Sequence, residues 1–402
     1  MWRLQGKKIT ELESRYVMQT YGRLPVVFVS GKGSYLTDVD GKRYLDFVSG
    51  IAVNALGHCH PAITAAIADQ ASRLVHTSNI YFTEPQVLVA EKLVQMSGLD
   101  RVFFCNSGAE ANEAAIKLAR KRAAAVLGEE RYEIITAYKS FHGRTMATLT
   151  ATGQSKYQAG FQPLLKGFRY AVFNDLPSFI SQAGDKTCAI MLEPVQGEGG
   201  VHPADIEFLQ GLRRFCDDNN LLLIFDEVQS GLGRTGHNFA WEHYDVKPDI
   251  MTLAKALGGG LPIGAMLAEE EVAGVFAPGD HASTFGGNPV ACAAAFAFLR
   301  VLEEEAILSN VCKMSAYMQD GLLGLSQTLP DHVDSFRGLG LMLALELKLP
   351  SARAVVAECL KMGLLLNSVS DTTIRFLPPL NVSATEINEA LDILKVALQG
   401  HD

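Results

Sequence analysis

From about residue 100 onward, short apolar runs alternate with stretches whose apolar residues recur at helical spacing. Arg101-Val102-Phe103-Phe104-Cys105, Tyr132-Glu133-Ile134-Ile135-Thr136, Cys188-Ala189-Ile190-Met191-Leu192, Leu221-Leu222-Leu223-Ile224-Phe225 and Asp249-Ile250-Met251-Thr252-Leu253 read as strands, with helices such as 109–120 and 204–219 between them. Apolar strands alternating with helices predict a mainly parallel sheet covered by helices on both faces, an α/β fold. Upstream, residues 1–25, with Tyr16, Tyr21 and Pro25, begin as a helix and then extend, and 26–47 read as short strands. There Asp40-Gly41 forms a tight turn between Tyr35-Leu36-Thr37-Asp38-Val39 and Arg43-Tyr44-Leu45-Asp46-Phe47. Residues 62–74 and 85–96 are helical in period. Beyond Pro289 helices dominate until Leu341-Met342-Leu343-Ala344-Leu345 and Thr373-Ile374-Arg375-Phe376-Leu377, which suggests a small α+β domain.

A chain of 402 residues exceeds a single hydrophobic core, so more than one domain is expected. The division read here is a segment at 1–50 that joins the small domain, a large domain at 51–288 and the small C-terminal domain at 289–402. Charged residues make up 20% and hydrophobic ones 48%, the balance of a globular protein, and no apolar stretch is long enough to span a membrane. A net charge of -9 without a Lys/Arg block argues against nucleic acid or an anionic membrane as partner. The N-terminus lacks the apolar core of a signal peptide, and the seven cysteines are odd in number, scattered and without a C-x-x-C pair. Reduced thiols in a cytoplasmic protein are therefore expected. His58-Cys59-His60 has no second cluster to complete a ligand set, so no metal is expected.

The chain's most distinctive stretch is Ile250-Met251-Thr252-Leu253-Ala254-Lys255-Ala256-Leu257-Gly258-Gly259-Gly260-Leu261-Pro262-Ile263-Gly264. Lys255 is the only Asp, Glu, Lys or Arg between residues 250 and 268. Apolar surroundings disfavour an ammonium, and a lysine with a depressed pKa is a nucleophile suited to Schiff-base formation. The alternative is a lysine snorkelling from a half-buried element.

In open α/β sheets, ligands bind beyond the carboxyl ends of the strands. Cys105-Asn106-Ser107-Gly108-Ala109-Glu110-Ala111-Asn112 leads from a strand into a helix, with free amides, a hydroxyl and a glycine suited to a phosphate; Ser107 can equally be an ordinary helix cap. Asp226, at the end of the strand before Glu227-Val228-Gln229, suits a protonated pyridine nitrogen. It also suits a Walker-B metal ligand, but the chain has no Walker-A loop. In Phe141-His142-Gly143-Arg144 the aromatic can stack on a planar ring and the arginine can grip a carboxylate, or both can be structural. Ser283-Thr284-Phe285-Gly286-Gly287-Asn288-Pro289 offers further hydroxyls and amides. Gly231-Leu232-Gly233-Arg234-Thr235-Gly236 matches a dinucleotide-binding fingerprint literally, but residues 226–230 separate it from its strand and no helix follows at once.

Taken in order, these residues resemble the class III, fold-type I pyridoxal-phosphate aminotransferases, from about residue 24 to residue 379. The resemblance implies a Schiff-base lysine at Lys255, a pyridine-nitrogen aspartate at Asp226 and a ring-stacking aromatic at Phe141. It implies a phosphate cradle at Ser107-Gly108-Ala109, ring and phenolic-oxygen contacts from Val228 and Gln229, and Thr284 reaching the phosphate of a neighbouring subunit. A homodimer with shared active sites follows from that last role. Two stretches, His76-Thr77-Ser78-Asn79-Ile80-Tyr81-Phe82-Thr83-Glu84-Pro85-Gln86 and Gly233-Arg234-Thr235-Gly236-His237-Asn238-Phe239-Ala240-Trp241-Glu242-His243-Tyr244, are similar to members acting on acylated ornithine. By that resemblance Arg144 and Ser283 bind the acylated substrate, N-acetylornithine is the donor and 2-oxoglutarate the acceptor, with succinyldiaminopimelate as a further substrate. Arg375 resembles the arginine that binds glutamate, Glu198 the glutamate that pairs with it and swings away, and Glu193 a structural neighbour. Phe376-Leu377-Pro378-Pro379 is also similar to other ω-aminotransferases, so ornithine and succinylornithine remain alternatives, with an NAD-dependent oxidoreductase as the reading from another class.

Overall fold

The computed structural model describes residues 6–400. Residues 1–5 of the expected N-terminal helix lie outside the described residues; the rest of it runs Gly6–Tyr16 and buries no residue. Strands β1 (Phe28–Lys32), β2 (Tyr35–Asp38) and β3 (Arg43–Asp46) form an antiparallel meander. Gly41 makes the expected turn at φ +84°, in the left-handed region that glycine reaches without strain. There follow β4 (Arg101–Cys105), β5 (Glu133–Ala137), β6 (Phe168–Ala171) and β7 (Thr187–Leu192), a short hairpin of β8 (Val195–Gln196) and β9 (His202–Pro203), then β10 (Leu222–Asp226), β11 (Ile250–Leu253) and β12 (Gly264–Ala268).

The central sheet has seven strands in the order β4-β12-β11-β10-β7-β5-β6. Its β5, β6, β7, β10 and β11 neighbours pair in parallel, with Asp226 opposite Thr252, while β12 runs antiparallel to both β11 and β4. The five expected strands are all present; β6 and β12 are additions to that reading. Both faces are covered, as the apolar runs require. Ile134, Met191 and Ile224 pack with Ala115, Leu118 and Ala119 of the helix Gly108–Val126, whereas Ile135, Ile190 and Leu223 pack with Phe208, Leu209 and Leu212 of the helix Ile206–Asn219. Adjacent residues thus face opposite cores, which is why these strands read as unbroken apolar runs.

After Asn288, whose side chain caps the helix Pro289–Glu304, come a second long helix, Ile307–Thr328, and strands β13 (Val333–Leu339) and β14 (Met342–Leu347). Strands β15 (Leu364–Leu365), β16 (Asn367–Ser368) and β17 (Thr373–Phe376) follow, flanked by the helices Ala352–Met362 and Ala384–Gln399. The order β13-β14-β17-β16 makes a second sheet. Strand β15 instead pairs in parallel with β3, Leu364 opposite Leu45, so the N-terminal meander is joined to the C-terminal part of the chain.

Candidate active site

The carboxyl ends of β4, β5, β7, β10 and β11 open on one cleft of about 450 Å³. It is lined by Ser107, Gly108 and Ala109 after β4, by Phe141 and Arg144 after β5, and by Glu193 after β7. Asp226, Val228 and Gln229 line it from the end of β10, and Lys255 from just past β11. Residues spread over 149 positions converge because a parallel sheet points all these strand ends the same way.

Lys255 lies on the turn that leaves β11 and holds φ +44°, a conformation unfavourable for a residue with a side chain. Burial pulls its ammonium down to about 8, the direction its apolar neighbours led one to expect; Glu198 raises it, Arg375 lowers it, and Asp226 and Glu193 raise it further. At pH 7 roughly a tenth of Nζ is therefore free amine, about a hundredfold or more above the share in an ordinary lysine.

Ser107 is the cap of the helix Gly108–Val126, its hydroxyl accepting from the Glu110 amide at 3.2 Å. The first-turn amides of Gly108 and Ala109, which no carbonyl of the helix itself can reach, lie beside it in the cleft at the positive end of a 19-residue helix dipole. Space here admits no side chain at two places. A Cβ on Gly108 would stand 2.8 Å from Val228 Cγ1, and one on Gly264 would stand 2.4 Å from the Ser107 carbonyl oxygen. β12 thus presses directly on the cradle.

Asp226 is held on every side. Its Oδ2 accepts from Asn112 Nδ2 at 2.7 Å and lies 2.8 Å from His142 Nδ1, and its Oδ1 accepts from the Val228 amide at 3.0 Å. Asn112 also donates to the His142 carbonyl at 2.8 Å and accepts from the Thr252 hydroxyl at 2.7 Å. A carboxylate beside Nδ1 fixes the imidazole proton there, and His142 Nε2 is left buried without a partner among the described residues. Asn112, Thr252 and His142 were given no role from sequence. Asn112 sits in an alanine-rich helix and Thr252 in an apolar strand, where nothing local marks them.

Arg375, on β17, is fully buried; its Nη1 donates to Glu198 Oε1 at 2.6 Å and to Gln229 Oε1 at 3.0 Å, while Nη2 has no partner among the described residues. Burial by itself would raise the Glu198 carboxyl, but the Arg375 guanidinium outweighs it and holds the carboxyl below its ordinary value. Neither residue lines the cleft wall; Gln229, which does, connects them to it. Glu193 accepts from the Phe141 amide at 3.0 Å and the Gly197 amide at 3.1 Å, and burial pushes its carboxyl up to about 7.

The Phe141 ring meets Tyr157 edge-on at 5.5 Å, and the exposed Arg144 guanidinium lies over Tyr157 at 4.3 Å. Ser283 and Thr284 do not line this cleft. The Ser283 hydroxyl accepts from Asn106 Nδ2 at 3.1 Å and from the Gly286 amide at 3.0 Å, and Thr284 is exposed. The stretch 231–236 is a series of turns that opens no helix. Its Arg234 is buried and donates to the carbonyls of Leu341 and Pro378, tying the loop to the C-terminal part of the chain. It has no dinucleotide-binding architecture. His58 of the histidine-cysteine cluster pairs with Asp46 at 2.8 Å.

These groups fit a flat phosphorylated aldehyde: a lysine amine, an aromatic face at Phe141, a carboxylate at Asp226, unpaired helix amides and a buried, unpartnered imidazole nitrogen. The sequence is 54% identical to the acetylornithine aminotransferase of Methanocaldococcus jannaschii, over 96% of each chain. It is also 54% identical to that of Gloeobacter violaceus, over 95% of each. Among solved structures, N-acetylornithine aminotransferase from Stenotrophomonas maltophilia matches with a TM-score of 0.84 and 40% identity over 97% of this chain and 98% of that one. Ornithine aminotransferase from Toxoplasma gondii matches with a TM-score of 0.94 and 32% identity over 99% and 96%. The family model for aminotransferase class-III covers residues 16–398. The chain belongs to the class-III aminotransferases, whose cofactor is pyridoxal 5'-phosphate.

Proposed function

We propose that this aminotransferase moves the terminal amino group of N-acetylornithine to 2-oxoglutarate, giving N-acetylglutamate semialdehyde and glutamate, a step of arginine biosynthesis. The observation that carries the reading is the pairing of half-buried Glu198 with fully buried Arg375 beside the Lys255 cleft, in a chain whose relatives include acetylornithine aminotransferases.

Bound pyridoxal phosphate supplies a carbonyl that accepts the amine and an electron sink for the substrate carbon. Lys255 Nζ holds the cofactor while the site awaits substrate and afterwards serves as the base that takes the proton from the amine-bearing carbon. The Gly108 and Ala109 amides with Ser107 would hold its phosphate, Phe141 and Val228 would pack against its ring, and Gln229 and Asp226 would bind its phenolic oxygen and its nitrogen.

Two substrates of unlike charge share this site. Glutamate carries a carboxylate next to the reacting carbon, which Arg375 binds; a terminal amine does not, and an unpaired buried guanidinium would oppose it. Glu198 neutralises Arg375 for the amine and turns away for glutamate. Arg144 grips the carboxylate at the far end of the acylated donor.

Thr284, exposed and away from its own cleft, serves the phosphate site of a second copy, and Ser283 its substrate. The homodimer this needs is supported by the neighbouring exposed apolar side chains of Ile80, Tyr81, Phe82 and Phe285. The seven free thiols support a cytoplasmic protein. The parallel pairing of β15 with β3 supports counting residues 1–50 with a small domain at 289–402, around a large domain at 51–288.

The test is the rate of glutamate formation from 2-oxoglutarate with N-acetylornithine, N-succinylornithine or ornithine as donor. The fastest rate is expected with N-acetylornithine. Faster turnover of free ornithine, the donor named for the Toxoplasma structural neighbour, would replace this substrate and keep the reaction.

A further inference from the structure

One buried carboxylate joins two loops of the site. Glu193 leaves β7 with only 6% of its surface exposed. Its Oε2 accepts from the amide of Phe141, on the loop after β5, and its Oε1 from the amide of Gly197, on the glycine-rich turn between β8 and β9. Gly197 is pinned from its other side as well. A Cβ there would stand 2.5 Å from Gln229 Oε1, so the Gln229 amide lies directly against the Gly197 backbone. That same Oε1 accepts from Arg375 Nη1, and Glu198, the next residue along, meets the same Nη1. A second link between the loops, from Gln196 Nε2 to the Tyr138 carbonyl at 2.9 Å, leaves the Phe141 and Gly197 amides to Glu193.

We propose that Glu193 is a positioning residue for donor selection: by bonding the Phe141 and Gly197 amides together, it sets where the Glu198–Arg375 pair closes relative to the Phe141 ring. This rests on the switching role proposed for Glu198. Two N–H donors require two acceptor oxygens on one rigid side chain. Glutamine offers one oxygen and turns an NH₂ group against the other amide, and aspartate is one methylene too short to span both loops. The titratable groups facing Glu193 are Asp226, His142 and Lys255, none of which can replace it in bonding both amides.

The experiment combines hydrogen exchange with donor preference in the holoenzyme. In Glu193→Gln the segment that meets the amide NH₂ group exchanges faster by about tenfold or more, and in Glu193→Ala, which removes both acceptors, the segments carrying Phe141 and Gly197 both do. The segment of β10 keeps its protection. The ratio of glutamate to N-acetylornithine turnover rises, and adding Glu193→Gln to Glu198→Ala moves that ratio no further. Unchanged exchange in Glu193→Gln, loosening of only one loop in Glu193→Ala, or additive effects on the ratio would overturn the proposal. Should Glu193→Gln fail to fold, Glu193→Asp is expected to give the same pattern. A wild-type enzyme that uses neither donor would remove the proposed substrates, and the exchange of the two loops would then decide the bridge alone.

Discussion

Glu198 and Arg375 lie 177 residues apart in the chain, and the half-buried carboxylate meets the fully buried guanidinium at 2.6 Å. Removing the carboxylate leaves the buried guanidinium uncompensated. Glu198→Ala should therefore leave Arg375 permanently available to glutamate and hostile to a terminal amine. The ratio of glutamate to N-acetylornithine turnover is expected to rise by about tenfold or more. Half-reaction rates measured separately with each donor check this, and an unchanged ratio contradicts the switch.

Lys255 carries a pH signature. Its folded pKa of about 8 lies below the ordinary 10.5, so the buried ammonium destabilises the apoprotein. That penalty is full below pH 8 and is relieved as pH rises from about 8 towards 10.5. Lys255→Met removes it, and the variant apoprotein should be the more stable at pH 7 by up to about 3 kcal/mol, with the difference shrinking by pH 10. Urea unfolding at the two pH values measures the gap; one that widens with pH contradicts the burial argument.

Asn112 is engaged with Asp226, the His142 carbonyl and the Thr252 hydroxyl at once. Asn112→Ala strands those buried groups and should lower stability by about 2–4 kcal/mol, beyond the effect of an alanine placed on an exposed helix face. A denaturant midpoint within error of wild type would show that solvent takes over the role.

Gly108 is tested by one methyl group. Gly108→Ala sets a Cβ against Val228, 2.8 Å from Cγ1, so that Val228 must shift in the cleft wall even though alanine suits a helix start. Pyridoxal phosphate should bind about tenfold or more weakly, and the apoprotein should lose about 1–3 kcal/mol because Val228 has to shift. Equal cofactor affinity in a titration would mean that Val228 moves aside freely.

What the sequence reveals here depends on how local each signal is. Strands β5, β7, β10 and β11 are buried on both faces and so read as apolar runs. The residues that follow such runs, Asp226 and Lys255 above all, stand out for the same reason. Strand β12, Gly-Ala-Met-Leu-Ala, has little intrinsic strand preference and merges with the lysine stretch before it. Strand β6 is short, at the sheet edge, and carries Arg169. Asn112, Thr252 and His142 matter through long-range hydrogen bonds that no spacing records. The Glu198–Arg375 pair was named through family resemblance alone, since no pattern within the chain joins a glycine-rich turn to a strand near its end.

The most direct test of the whole account is the visible absorbance of the protein loaded with pyridoxal phosphate, recorded before and after N-acetylornithine is added without any oxo-acid. A cofactor band is expected that bleaches with the donor, returns on addition of 2-oxoglutarate, and fails to form in the same way in Lys255→Ala. No band after pyridoxal phosphate is supplied, or a band that no amine alters, would contradict the assignment of Lys255 and the reaction built on it.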